Sequence, residues 1–241
     1  MHNTLHLLDY QVYNDSITKI DYQQKQLITT INQYSYCVAE NDYSFKKALQ
    51  KSTILLPDGI GIVIAAKLLK NTRIQKIAGA DIHQYLLENL QKNSGSCMYL
   101  GASEDTLAKI KKRIGIEYPN ITVASYSPPY KAEFSNEDIK AMILTVNTVK
   151  PDVLFVGMTA PKQEKWAHAY KKKLETNTIC AIGAVFDFYA GTVKRPSQFW
   201  IDLKLEWFIR LVKEPKRMWR RYLYYGPFFI YLLLKVFLKK K

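Results

Sequence analysis

The chain is poor in the residues on which several chemistries depend. It has three cysteines in 241 residues, Cys37, Cys97 and Cys180, with no CxxC pair. An odd, scattered set gives no disulfide framework, so each reads as a small core hydrophobe in a reducing compartment. None of the four histidines, His2, His6, His83 and His168, belongs to an HExxH motif, and they read as surface or capping residues. The ten glycines complete no P-loop, GxSxG or GxGxxG pattern. There is no DxD motif, Glu40-Asn41-Asp42 being the nearest approach, so no metal and no cofactor are expected. No apolar run reaches the ~20 residues that span a bilayer. The opening MHNTLHLLDYQ lacks a basic segment followed by an apolar one, so no signal peptide is expected.

What is present is an ordinary globular composition, 48% apolar and 23% charged, with a net charge of +14. Disorder, collagen and coiled coil are excluded. The charge is uneven. From Lys194 to the end, 13 Lys/Arg stand against 3 Asp/Glu, which is +10 and leaves +4 for the preceding residues. A basic C-terminal region predicts an anionic partner such as phosphate or a membrane surface. No RNA-binding aromatic motif accompanies it, and nucleic acid is not expected.

Short apolar runs alternate with amphipathic stretches. Residues 53–56, 97–102, 121–126, 152–157 and 178–183 read as strands, apolar on both faces as in a parallel sheet. Helical patterns cover 60–69, 81–91, 104–113, 136–149 and 162–174. The alternation predicts an α/β fold with a Rossmann-like parallel sheet flanked by helices. Within the first 50 residues, Val38–Asn41 reads as the end of a further strand before a helix from Tyr43.

In such a sheet, ligands bind where strands give way to helix N-termini. Asp58 follows a strand in a Pro-Asp-Gly turn, which suits plain turn chemistry or a general base at the ligand edge. Pro161-Lys162-Gln163-Glu164 opens a helix, where ordinary N-terminal residues and an anion site look alike. Gln163 there can hydrogen-bond a sugar or a base.

From residue 196 the texture changes. Residues 199–212 form an amphipathic helical pattern carrying Trp200, Trp207 and Phe208, and Pro215 ends it. A second, over 216–225, carries Arg217, Arg220 and Arg221 beside Trp219, and Gly226-Pro227 ends that. Arg195 and Arg210 complete a basic group suited to diphosphate oxygens, against the plainer reading of a solvated face. The chain closes on FFIYLLLKVFLKKK, which suits a membrane contact first and a core helix or a dimer interface second. Residues 1–195 are thus expected as the α/β core and 196–241 as a basic, aromatic appendage that touches the membrane without spanning it.

Several segments in order, LLPDGIGIV, IAGADIHQYLL, YLGAS, PKQEKW and GAVFDFYAGTVKRPSQFW with LEWFIRLVKEPKRMWRRY, resemble the WecG/TagA/CpsF glycosyltransferases, glycosyltransferase family 26. The resemblance covers nearly the whole chain. It implies an inverting, metal-independent transfer from a UDP-sugar donor, N-acetylmannosamine-type first and glucose, glucuronic acid or galactose otherwise. The implied acceptor is a lipid-diphosphate-linked saccharide, undecaprenyl-diphosphate N-acetylglucosamine or a relative, in cell-surface polysaccharide or teichoic acid synthesis. It also implies a peripheral site on the cytoplasmic face of an anionic membrane, with homo-oligomerisation left open. By position it assigns Asp58 as catalytic base and Asn41, Gln163, Arg210, Arg217 and Arg220 as substrate contacts. Ala39 stands where many members have threonine, and Lys76 stands close to where many have arginine. Two readings from other classes are weaker. A nicotinamide-dependent dehydrogenase or epimerase lacks its glycine fingerprint, and a non-catalytic basic adaptor leaves the Asp58 and Gln163 loops without a role.

Overall fold

A computed structural model describes residues 2–193, 197, 199–200, 203 and 205–238, the side chains of Glu206 and Arg217 excepted. Arg195 and Lys239–Lys241 lie outside the described residues.

Six strands make one wholly parallel sheet: β3 (Gln26–Ile31), β4 (Ile54–Pro57), β5 (Ser96–Gly101), β6 (Thr122–Tyr126), β7 (Val153–Gly157) and β8 (Thr178–Ala181). Their spatial order is β4-β3-β8-β7-β5-β6. All residues of β4, β7 and β8 are buried, as strands covered on both sides must be. Successive side chains enter opposite layers. Tyr99 and Phe155 pack with Ile82, Leu86, Leu107 and Phe186 on one side. Met98, Leu100, Leu154 and Val156 pack with Met142, Val146 and Trp166 on the other.

The helices that supply these layers are α1 (Gln33–Ala39), α2 (Tyr43–Gln50), α3 (Ile60–Lys70), α4 (Gly79–Lys92), α5 (Glu104–Glu117), α6 (Asn136–Val149), α7 (Lys162–Tyr170) and α8 (Gly183–Tyr189). Caps fix several starts: Asp42, Ser103 and Ser135 each accept a backbone N–H of the first turn. The five strands and five helices read from the later sequence are all present, with ends displaced by a few residues.

The first 50 residues differ from expectation. Val38 and Ala39 end α1 instead of forming a strand, and the strand is β3, QLITTI. A hairpin of β1 (Thr4–Leu7) and β2 (Tyr10–Tyr13) precedes it, turning through Leu8 and Asp9 at φ 53° and 66°. The histidine reading also needs correction, because His83 is buried and its Nε2 lies 2.6 Å from the Tyr99 hydroxyl. Burial pushes its pKa down to about 3, so it is a neutral core residue. All three cysteines are buried and unbridged.

The C-terminal region forms helices at Glu206–Lys213 and Pro215–Trp219, a π-helical turn at Arg220–Tyr224, and a helix at Tyr225–Leu238. Gly226 and Pro227 do not break this last helix. They lie just past the π-helical turn, within an unbroken helical run. Phe229 and Leu233 are buried in a core layer with Tyr36, Cys37, Ile62 and Leu55. The tail is therefore part of the globular core along one face. Ile230, Tyr231 and Leu234 lie exposed on the other. No helix among the described residues is long and apolar enough to cross a membrane.

Candidate active site

The helices that follow β3 and β8 leave towards opposite layers, α1 with the tail helix and α8 with α4 and α5. Between two such neighbouring strands the sheet opens a crevice at its carboxyl edge. A cleft of about 380 Å³ occupies that place. Its floor comes from four adjacent strand ends: Asp58 after β4, Asn32 after β3, Gly183 after β8, and Gln163 and Glu164 after β7. Its roof comes from Trp207, Arg210, Arg221 and Tyr222 of the C-terminal region.

Asp58 is held by its backbone. Its N–H donates to the Ile31 carbonyl at 2.9 Å, and the preceding Pro57 carbonyl accepts from Ile77 N–H at 3.0 Å. Gly59 then adopts φ 124°, and a Cβ there would stand 3.0 Å from Gln33 Oε1. Only glycine combines that backbone with that space, so the Pro-Asp-Gly turn presents one rigid carboxylate to the cleft.

Asn32 is the N-cap of α1. Its Oδ1 accepts from Ser35 N–H at 3.0 Å, while its own N–H donates to Ser35 Oγ at 2.8 Å. Thr30 lines the cleft two residues earlier. Asn41, expected as a contact, lies outside the cleft lining. It is exposed on the α1–α2 turn, and its amide donates to the Cys37 carbonyl. The cause is the misplaced strand: the asparagine that follows a strand here is Asn32, and the threonine two before it is Thr30, not Ala39.

Gln163 reaches the cleft but is largely committed to the protein. Its Oε1 accepts from Met158 N–H at 3.2 Å and Gly183 N–H at 3.1 Å, and its Nε2 donates to Glu164 Oε1 at 2.9 Å. A Cβ on Gly183 would meet Gln163 Oε1 at 2.3 Å, so glycine is required for this brace between the β7 and β8 loops. Glu164 was visible in the sequence only as an ordinary first-turn acid. In the structure it is buried, and Oε2 has no hydrogen-bond partner. Burial raises its pKa to about 7, against smaller opposing effects of the Gln163 hydrogen bond, a backbone N–H and, last, Arg221.

Among the arginines, the Arg210 guanidinium sits 5.1 Å from the Phe188 ring centroid, with Nε and Nη2 buried and unbonded. Arg221 stacks 4.4 Å above the Tyr34 ring. Arg220 is exposed and outside the cleft lining. Arg220 and Arg221 both open the π-helical turn, and Arg221 is the one that lines the roof. Arg217 lies in the Pro215–Trp219 helix, and its side chain is outside the description. Lys76 and Asp187 also line the cleft. Asp58, Gln163 and Arg210 are thus brought together, while Asn41 and Arg220 stand apart.

The cleft joins a fixed carboxylate to a desolvated cation, an arrangement that can take up a proton on one wall and charge on another. Known proteins agree with glycosyl transfer. The profile of the glycosyl transferase WecG/TagA/CpsF family matches residues 2–241. A Bacillus subtilis (strain 168) N-acetylglucosaminyldiphosphoundecaprenol N-acetyl-beta-D-mannosaminyltransferase is 33% identical over 229 residues, 91% of this chain and 86% of its own length. Proteins of the same name from Bacillus spizizenii and Staphylococcus aureus (strain MW2) are 30% and 26% identical over 86% of this chain, spanning 78% and 79% of their own lengths.

Proposed function

Since the chain belongs to the WecG/TagA/CpsF family of glycosyl transferases, we propose that it transfers N-acetylmannosamine from a UDP-sugar to undecaprenyl-diphosphate-linked N-acetylglucosamine. The observation that carries this reading is the pairing of Asp58 and Arg210 in one cleft. In an inverting transfer the acceptor hydroxyl attacks the anomeric carbon from the face opposite the nucleotide. Asp58 takes the hydroxyl proton as the new C–O bond forms. The old bond to the diphosphate breaks, and UDP leaves with the electron pair. Arg210, whose Nε and Nη2 have no hydrogen-bond partner among the described residues, supplies donors to the charge that grows on the leaving oxygens. Arg221 and Lys76 add positive charge to the same cleft. Arg217 and Arg220 stay in the proposal as donor contacts on the strength of the family resemblance.

The same proposal places the enzyme on the cytoplasmic membrane face. The support is the apolar outer surface of the tail helix, Ile230, Tyr231, Leu234 and Leu238, beside a basic region suited to anionic lipid.

The test is UDP release from a panel of UDP-sugars with a short-chain lipid-diphosphate N-acetylglucosamine acceptor. UDP-N-acetylmannosamine is expected to give the fastest turnover. A faster rate with glucose, glucuronic acid or galactose donors replaces the sugar assignment, and no release from any donor defeats the reading.

A further inference from the structure

Glu164 is a buried carboxyl on the cleft wall to which the proton transfer and charge stabilisation above give no part. Its Oε1 is taken by Gln163, and its Oε2 has no partner. Gln163 uses both acceptor positions of Oε1 on backbone N–H groups and one hydrogen of Nε2 on Glu164. The other amide hydrogen has no acceptor among the described residues. The two side chains therefore offer one unused donor and one unused acceptor, side by side, in a braced frame. An edge that satisfies both must carry an acceptor next to an N–H donor. Uracil has this edge, in O4 and N3–H, whereas cytosine reverses it, with an N4 amino group beside a bare N3.

Position agrees. Glu164 follows β7 and Asp58 follows β4, at opposite ends of four adjacent strands. Three strand spacings amount to about 14 Å, which separates the base from the reacting carbon and leaves ribose and diphosphate between them. Arg210 and Arg221 roof the cleft, where those phosphates would pass.

We propose that Gln163 and Glu164 form the subsite that reads the uracil base of the donor, with Glu164 Oε2 accepting from N3–H and Gln163 Nε2 donating to O4. This rests on the reading of the donor as a UDP-sugar. It makes Glu164 a specificity-determining contact, while Asp58 keeps the chemistry.

The experiment is calorimetric titration of the full chain with UDP, CDP and N3-methyl-UDP, in the wild type, Glu164→Gln and Glu164→Ala. At pH 8, where the Glu164 carboxyl is ionised, a hydrogen bond to a charged group contributes enough for roughly 10–100-fold in affinity. The wild type is expected to bind UDP at least about tenfold more tightly than either CDP or N3-methyl-UDP. Glu164→Ala is expected to lose most of that preference, and Glu164→Gln to narrow the gap between UDP and CDP. Equal wild-type affinity for UDP and N3-methyl-UDP overturns the proposal, and this measurement needs no variant. Undiminished UDP-over-CDP preference in a folded Glu164→Ala protein overturns it as well. Failure of the wild type to bind UDP at all removes the donor reading and this subsite with it, a result distinct from tight but undiscriminating UDP binding.

Discussion

Replacing Glu164 with glutamine should stabilise the protein, and by an amount that depends on pH. The native carboxyl titrates near 7, against an ordinary value of 4.5, because burial penalises its ionised form. Between those two values the native state holds a proton that the unfolded state has released, so stability falls as pH rises through that window. Above pH 7 the cost is complete, and the gap corresponds to about 3 kcal/mol. The Gln163 hydrogen bond, a backbone N–H and Arg221 already offset part of the burial cost, and the pull of Arg221 is lost with the charge. Glutamine keeps an oxygen for Gln163 Nε2 and cannot ionise. In a chain of this size each kcal/mol moves the melting temperature by about 2–4 °C. The variant is therefore expected to melt about 6 °C or more above the wild type at pH 8, and within a degree or so of it near pH 4.5. Melting curves followed by circular dichroism across pH 4.5–8 measure this directly. A difference that does not change with pH, or a variant less stable at pH 8, would refute the account of Glu164 as an unpaired buried acid.

Four further outcomes follow from the site and the tail. Asp58→Asn should cut turnover by ~10²–10⁴-fold with UDP-sugar affinity nearly unchanged, as read by UDP release and titration together. Arg210→Ala should lower kcat more than donor affinity, because the charge it meets grows in the transition state; Arg217→Ala should behave alike, and an effect confined to salt-dependent lipid binding would make either one a membrane contact only. Turnover should survive EDTA, since the sequence has no DxD motif; loss that manganese or magnesium restores would contradict this. Paired substitution of exposed Ile230 and Leu234 by serine should reduce sedimentation with anionic liposomes while leaving the melting temperature close to wild type, whereas Phe229→Ala, in the buried face, should cost about 3–5 kcal/mol.

The parallel sheet was legible because its strands are buried on both faces and so appear as unbroken apolar runs between amphipathic stretches. β3 was harder. QLITTI carries two threonines and a glutamine, and it lies beside YSYCVA, which is equally rich in β-formers yet forms α1 under the capping box of Asn32 and Ser35. Propensity favoured a strand there, and packing against the tail helix decided otherwise. Missing that strand displaced the asparagine from 32 to 41. The Asn-x-x-Ser pattern that caps α1 was the signal that could have located it. Arg220 came from the family resemblance, and nothing in the sequence distinguished it from its neighbour Arg221, which the structure sets over Tyr34 and in the cleft lining while Arg220 is exposed. Glu164 had no signal at all. A first-turn glutamate is ordinary, and only the packing around it shows a buried cleft-wall oxygen with no hydrogen-bond partner among the described residues.

The tail shows how one segment can satisfy two readings that the sequence posed as rivals. An aromatic and aliphatic run ending in lysines suggested a membrane contact, with a core helix as the competing reading. At 14 residues the Tyr225–Leu238 helix extends for about 21 Å, too short for the ~30 Å of a hydrocarbon core. Its inward residues, Phe229 and Leu233, fill the layer over α1 and α3, and its outward residues remain apolar. Truncating this helix would uncover Tyr36, Cys37 and Ile62 as well as remove its exposed apolar surface, so loss of membrane binding in a truncated chain would not separate anchoring from unfolding. The helix also continues directly from the π-helical turn that sets Arg221 over Tyr34. The proposed membrane contact and the cleft roof thus lie on one continuous helical segment, and substitutions confined to the outer face of its last helix are the informative perturbation because they leave the buried face in place.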